Sequence, residues 1–293
     1  MKLPSFDYVV PKTLNDAVAL LNKHSGDAKI IAGGQSLLPI MAFRLAAPAL
    51  LVDIREIPDL RRIQVQPDGL HLGPLVRWRD LECSEDVAKC QPLLRSAVAN
   101  IAHYQVRNRG TVGGSLAHAD PAAEFPCIAV TCDAIVTLHG SYGSRTVAAD
   151  DFLVGELETV LQPDEVITDI HFPVWPNRRR SAFIEFSKRR GDFALGGVAA
   201  YLDVDQDGTV SKCAIGMMGA SPRAQRLSTV EAMLVGSQPN EGLMRSAGIA
   251  ASDLVNPQHD IHASRNYRKA LIGTLVERAL TAAMNETYAG TAQ

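Results

Sequence analysis

Two glycine-rich stretches carry the residue types best suited to grip an anion. They are Ala32-Gly-Gly-Gln-Ser36 and Thr111-Val-Gly-Gly-Ser115. Glycine lets backbone N–H groups approach a ligand with no Cβ in the way. Successive N–H groups in such turns form a concave nest for negative charge. Hydroxyls at Thr111 and Ser115 and the guanidinium groups of Arg107 and Arg109 add further donors beside the second stretch. Glu124 follows nine residues after Ser115, and a carboxylate accepts hydrogen bonds well from ribose hydroxyls. Two such stretches in one chain point to one large ligand with a phosphate middle, such as a dinucleotide. Neither stretch is a G-x-G-x-x-G fingerprint or a Walker loop.

Other chemistry is poorly represented. His118 lies just past the second stretch and His103 just before it, but neither has a second His or Cys at ligand spacing. Cys127 and Cys132 stand at C-x4-C spacing with no C-x2-C nearby, so they read as part of a buried apolar segment rather than a cluster site. No Ser-His-Asp arrangement and no G-x-S-x-G is legible. With no acid, base or nucleophile of its own, the chain is expected to position a cofactor that does the chemistry.

The elements that must place these residues follow from pattern. Residues 14–23 show helical apolar spacing, with Thr13 as N-cap. Lys29–Ala32 reads as a buried strand feeding the first glycine turn. Leu50–Asp53 and Leu70–Gly73 read as further strands. Residues 91–104 look helical. Residues 111–124 read as a loop, because Pro121 bars a long helix. Phe125–Val130 reads as a short helix, and Ala134–His139 as a strand with its return at Arg145–Ala148. Past Pro173–Arg180, strands at Ala194–Val204 and Cys213–Met218 flank the hairpin signal Asp205–Gly208. Helical patterns at 228–235 and about 265–285, the latter capped by Ser264, close the chain. Strands and helices without strict βαβ alternation predict an α+β fold.

Composition narrows the function classes. A formal net charge of -3 over 293 residues leaves no basic surplus for nucleic acid. The runs Arg178–Arg180 and Lys188–Arg190 read as solvated loop charge. No 18-residue apolar run predicts a membrane span, and the first residues lack an apolar signal segment. Five cysteines, an odd number, argue for reduced thiols, and a cytoplasmic location is expected.

The motifs in order resemble a known family. Phe6–Pro11, Ala32–Ser36, Leu51–Ile54, Thr111–Ser115 with Asp120-Pro121, Arg189–Ala194, Ser221–Arg223 and Tyr267-Arg268 are similar to the FAD-binding medium subunit of the molybdenum hydroxylases. That family includes carbon monoxide dehydrogenase and xanthine dehydrogenase.

The resemblance implies an α+β fold in two parts. One is an FAD-binding domain over 1–176, of the vanillyl-alcohol-oxidase-like type, with subdomains about 1–58 and 59–176. The other is an α+β domain of the carbon monoxide dehydrogenase flavoprotein type over 177–288, followed by a 289–293 tail. It implies that Ala32, Gly33, Gly34, Gln35, Ser36 and Leu37 wrap the pyrophosphate of FAD. Thr111, Gly114, Ser115 and Glu124 then contact phosphate, ribose or adenine, and Asp192 approaches the flavin. Some relatives carry Asn at the Ser115 position and Lys at the Glu185 position, so a flavin-contacting Lys does not carry over. It further implies a small 2Fe–2S subunit and a large subunit with a molybdopterin cofactor, assembled as a dimer of heterotrimers. FAD in this chain would relay electrons from the partner's clusters to an external acceptor. A flavin-free scaffold subunit and a stand-alone FAD-dependent dehydrogenase are the alternatives.

Overall fold

The computed structural model describes residues 2–24 and 26–285; the expected tail at 289–293 and residues 286–288 lie outside the described residues. Strand β1 (Asp7–Val9), helix α1 (Leu14–His24), β2 (Ala28–Ile31), α2 (Leu37–Ala42) and β3 (Leu50–Asp53) form the first unit. Its strands run parallel in the order β1-β3-β2. Helix α1 starts where Thr13 Oγ1 accepts the amide of Asp16 at 3.1 Å. Its apolar stripe, Ala17, Val18 and Leu21, packs on Leu50 and Val52 of the sheet. Parallel strands need a crossover between them, and α1 supplies one.

Next come β4 (Ile63–Gln66), β5 (Gly69–Leu72), α3 (Trp78–Cys83), α4 (Glu85–Cys90), α5 (Pro92–Val98), α6 (Tyr104–Arg107), α7 (Val112–His118) and α8 (Glu124–Thr131). They are followed by β6 (Ile135–Gly140), β7 (Gly143–Ala148), α9 (Ala149–Phe152), β8 (Leu153–Gly155), β9 (Glu158–Thr159) and β10 (Val166–Pro173). The antiparallel sheet β4-β5-β10-β6-β7 is the frame of this unit, with β8-β9 a separate small pair. The last unit holds β11 (Arg180–Ser187), β12 (Ala194–Val204), β13 (Val210–Met218), β14 (Gln225–Arg226), α10 (Ser228–Leu234), α11 (Glu241–Leu254) and α12 (Arg265–Asn285). Its antiparallel sheet runs in sequence order.

That last sheet is buried on both faces, and its period-2 alternation shows how. Ala199 and Tyr201 of β12, with Ala214 and Met218 of β13, join the core of the middle unit. Val198, Ala200 and Leu202, with Cys213, Ile215 and Met217, join a separate core under α11 and α12. The first face is seated on α8, whose residues Phe125–Thr131 are all buried. Contact there is close enough that a Cβ on Gly216 would strike the Thr131 hydroxyl. Each large apolar side chain buried in this way stabilises by about 1.5–3 kcal/mol.

Several segments differ from the sequence expectation, among them β4, α3, α4, β10 and β11, which it did not foresee. The helix expected over 91–104 is two helices, α5 and α6, with Ala102 at φ 42° between them. Arg107 holds the break, donating to the carbonyls of Ile101 and Ala102 at 3.0 Å each. The loop expected over 111–124 contains α7, because Thr111 caps it and its Val112 and Leu116 are fully buried. Helix α11, unforeseen, is capped by Asn240, whose Oδ1 accepts the Leu243 amide at 2.9 Å.

Candidate functional site

The first glycine stretch is a turn between β2 and α2. Among the described residues, no acceptor bonds the backbone amides of Gly33, Gly34, Gln35, Ser36 or Leu37. Five consecutive unspent N–H groups form the nest that an anion requires. The turn is held from within: Gln35 Nε2 donates to the Gly33 carbonyl at 3.0 Å, and the Leu38 amide donates to the Gly34 carbonyl at 3.2 Å. Gly34 has φ +72°, which suits glycine, and a Cβ on Gly33 would collide with the Arg109 carbonyl. Gly33 therefore abuts the segment that leads into the second stretch.

Ala32 and Gly33 line a cavity of about 520 Å³ that Thr111 also lines. Arg55, Arg61, Arg77 and Arg109 stand around it. The cavity floor carries Asp53, which is 1% exposed. Burial alone would raise its carboxyl, but hydrogen bonds from Arg55 and Tyr8 hold it below the usual carboxylate range. Arg55 Nε lies 2.9 and 2.8 Å from the two carboxylate oxygens. Asp53 thus fixes Arg55, and Asp80 pairs with Arg61 at 3.2 Å, which leaves Arg77 and Arg109 as the cations of the set without a carboxylate partner among the described residues.

The second glycine stretch is built differently. Thr111 Oγ1 accepts the Gly114 amide at 3.2 Å, and the Thr111 carbonyl accepts the Ser115 amide at 3.1 Å. The Val112 amide donates to the Val76 carbonyl and the Gly113 amide to the Pro74 carbonyl, each at 3.0 Å. The amides of Val112, Gly113, Gly114 and Ser115 are consumed by the fold, so this is a capped helix start and not a second nest. Arg107, expected to help neutralise a ligand, instead bonds the carbonyls described above and pairs with Glu82 at 3.6 Å.

Glu124 opens α8. Burial, then the nearby charges of Glu185 and Asp120, push its carboxyl up to about 8. Glu185, on β11, is raised to about 7 by burial, and its buried Oε2 has no hydrogen-bond partner among the described residues. The last sheet thus brings an unpartnered carboxyl into electrostatic reach of Glu124. Asp192 lines a different, larger cavity of about 700 Å³ with Asp120, Lys188, Phe193 and Arg268. Arg268 is 7% exposed and donates to the carbonyls of Leu195 and Gly219 at 2.7 and 2.8 Å. The structure therefore joins Ala32, Gly33 and Thr111 at one cavity and sets Asp192 at another. His103 and His118 join neither cavity lining.

Sequence reading missed Tyr8, Asp53, Arg55, Arg61 and Arg77. They come from separate segments, and the local signals were the motifs Phe6–Pro11 and Leu51–Ile54, which hold Tyr8 and Asp53.

Comparison with known proteins shows the family. Residues 4–175 match the model of the FAD binding domain in molybdopterin dehydrogenase, and residues 181–283 match that of the CO dehydrogenase flavoprotein C-terminal domain. The chain belongs to the FAD-binding medium subunits of the molybdenum hydroxylase family. It is 40% identical to the nicotine 6-hydroxylase medium subunit of Paenarthrobacter nicotinovorans, over 97% of this chain and 99% of that one. It is 36% identical to the carbon monoxide dehydrogenase medium chain of Hydrogenophaga pseudoflava, over 96% and 97%. The solved structure of carbon monoxide dehydrogenase from that organism superposes with a TM-score of 0.94 at 38% identity, covering 97% of this chain and 99% of that one.

This medium subunit is the FAD-binding part of an oxidoreductase. The residues present fit the cofactor on their own chemistry: a row of unspent amides and an excess of arginine suit a pyrophosphate. No helix among the described residues is long and apolar enough to cross a membrane.

Proposed function

We propose that this medium subunit is an electron relay within a multi-subunit molybdenum dehydrogenase. FAD supplies a carrier that can take electrons singly and release them in pairs. A small partner subunit with two 2Fe–2S clusters would stand upstream, fed by a large subunit holding the molybdopterin cofactor. An external acceptor would stand downstream, and the assembly would be a dimer of heterotrimers in the cytoplasm. The relatives named as medium chains or subunits support this placement. Five unpaired cysteines support a reducing compartment.

The observation that carries the reading is the row of unspent amides at Gly33–Leu37 beside the arginine-lined cavity. In this reading Ala32, Gly33, Gly34, Gln35, Ser36 and Leu37 wrap the pyrophosphate, and Arg109 with Arg77 neutralises it. Thr111, Gly114 and Ser115 then act mainly through their side chains and shape, since the amides of Gly114 and Ser115 are spent. Glu124 offers a carboxyl to ribose hydroxyls. Asp192 closes over the cofactor from the C-terminal side. The division into 1–176, with parts about 1–58 and 59–176, and a C-terminal domain from 177 is supported by the three main sheets, which lie within residues 7–53, 63–173 and 180–226.

The visible spectrum of the native complex, repeated on acid-released cofactor, tests the proposal. Flavin bands near one per chain, released as FAD and reduced when the organic substrate of the complex is added, are expected. A complex that transfers electrons normally with no flavin in this subunit would reduce the chain to a scaffold.

A further inference from the structure

Helix α12 carries a charge where its pattern calls for an apolar side chain. Arg268 stands one turn ahead of Ile272 on the buried face of the helix and is 7% exposed. Arginine is almost never buried unless its donors are taken up. Here three separate segments take them up. Nη1 donates to the Leu195 carbonyl at 2.7 Å and to the Gly219 carbonyl at 2.8 Å, and Nη2 donates to Asp260 Oδ2 at 2.7 Å. The same three segments wall the cavity of about 700 Å³. Leu195 follows Asp192 at the start of β12, Gly219 opens the turn after β13, and Asp260 lies with Gln258 and His262 between α11 and α12.

Each of these walls is backbone that the sheets do not fix. The β11–β12 register slips between Phe186 and Ser187, so Leu195 stands opposite no residue of β11. Pairing of β12 with β13 begins only at Gly197. Bulges of this kind re-aim the chain beside functional sites. Gly219 follows the last paired residue of β13 with φ +77°, and its amide donates to the Pro121 carbonyl at 2.8 Å. In the third wall, Asp260 Oδ1 accepts the amides of His262 and Ala263 at 2.9 Å each. Arg265 Nε ties the start of that loop, donating to the Pro257 carbonyl at 3.0 Å. One planar guanidinium thus gathers three loose ends. Its forked donors reach divergent acceptors that the single nitrogen of a lysine could not serve together.

We propose that Arg268 is the positioning residue of this cavity: its guanidinium sets the spacing of the three walls and, through Leu195, holds Asp192 and Phe193 against the cofactor. The proposal rests on the reading that Asp192 closes over FAD. Arg268 acts through the walls and takes no part in the chemistry. The bond from Gly219 to Pro121 carries the same hold across to the FAD-binding domain. Residues that orient a site in this way need their own side chains locked, and three charge-assisted bonds lock this one.

The test titrates FAD into the full chain by flavin fluorescence and records the absorption band of the bound flavin. Arg268→Ala should weaken FAD binding about tenfold and blur the fine structure of the band as water reaches the ring. Guanidinium chloride, far below the concentrations that unfold the chain, should restore both by filling the vacated space. Methylammonium chloride at the same ionic strength should restore neither. Arg268→Lys keeps the charge but should stay within about twofold of Arg268→Ala, because an ammonium lacks the fork. Asp260→Asn frees one wall and leaves two, and should weaken FAD by less than about threefold, since a half-exposed ion pair contributes little. Unchanged affinity and band shape in Arg268→Ala would overturn the proposal. So would a loss that guanidinium leaves in place, or one that Arg268→Lys repairs, since either makes the residue a matter of fold or of charge alone. Where Arg268→Ala does not fold, Arg268→Lys carries the test, and FAD binding equal to that of the unaltered chain overturns the proposal. An unaltered chain that takes up no FAD would instead remove the relay reading, and this proposal with it.

Discussion

The two glycine pairs look alike in sequence and do opposite work. At Gly33-Gly34 the backbone amides are left unspent and four arginines gather nearby. At Gly113-Gly114 every amide has a partner in the fold, and the glycines serve close packing instead. A Cβ on Gly113 would collide with Pro74, and one on Gly114 would come within 2.9 Å of Thr111 Oγ1. A Gly-Gly pair beside a hydroxyl therefore signals tight backbone approach. Whether the approach is to a ligand or to the protein depends on where the amide hydrogens go.

That contrast can be broken by substitution. Gly33→Ala should have the largest effect, because the added methyl meets the Arg109 backbone and displaces the nest. FAD affinity, read by flavin fluorescence titration, should fall on the order of 100-fold, or about 2.7 kcal/mol. Unchanged affinity would show that the first stretch is only a turn. Gly113→Ala should act on the fold, costing about 1–3 kcal/mol by overpacking. Thermal denaturation should show the loss, while FAD affinity at low temperature changes by less than about threefold, which is under 1 kcal/mol. The reverse pattern, stable protein without flavin, would erase the distinction.

Arg109→Gln keeps a hydrogen-bonding side chain but removes one charge from the cavity. Affinity should drop about tenfold, and its dependence on salt should flatten as exposed charge is lost. A variant with the original salt dependence would place Arg109 outside the ligand's field.

The smallest effect concerns pH. The folded chain holds the Glu124 proton up to about 8, whereas the unfolded chain releases it near the ordinary carboxylate value of 4.5. Between those values the folded state binds more protons, so stability falls as pH rises. Glu124→Gln removes that slope. Its advantage over the unaltered chain in the cofactor-free state should grow from pH 5 to pH 8 by on the order of 1 kcal/mol, a Tm difference of about 3 °C. An advantage that shrinks across this window would contradict the assigned burial.

Much of the fold was legible where local chemistry sets it. Thr13 and Ser264 cap the helices expected of them, the latter accepting the Tyr267 amide at 3.2 Å. The turn before Gly208 joins the two strands it predicted. What failed was decided by tertiary contact. Helix α7 is poor in helix formers, and burial of Val112 and Leu116 overrides that propensity. Helix α11 carries an apolar stripe at Met244, Ala247 and Ala251 that the sequence reading passed over, and Gly248 and Gly273 let it lie close against α12. At the site, the glycine turn and the family motifs were readable. Arg109 was readable beside the second stretch, but Arg55, Arg61 and Arg77 were not, because they meet it only after separate segments fold together.

Hydrogen exchange followed by mass spectrometry, with and without FAD, tests the central claim most directly. The peptide covering residues 32–38 should exchange quickly in the cofactor-free chain and become strongly protected at one equivalent of FAD. The peptide covering 112–116 should be protected in both states, since its amides are already bonded. FAD binding that leaves 32–38 unprotected, or that protects 112–116 alone, would contradict the assignment of the first glycine stretch as the pyrophosphate cradle.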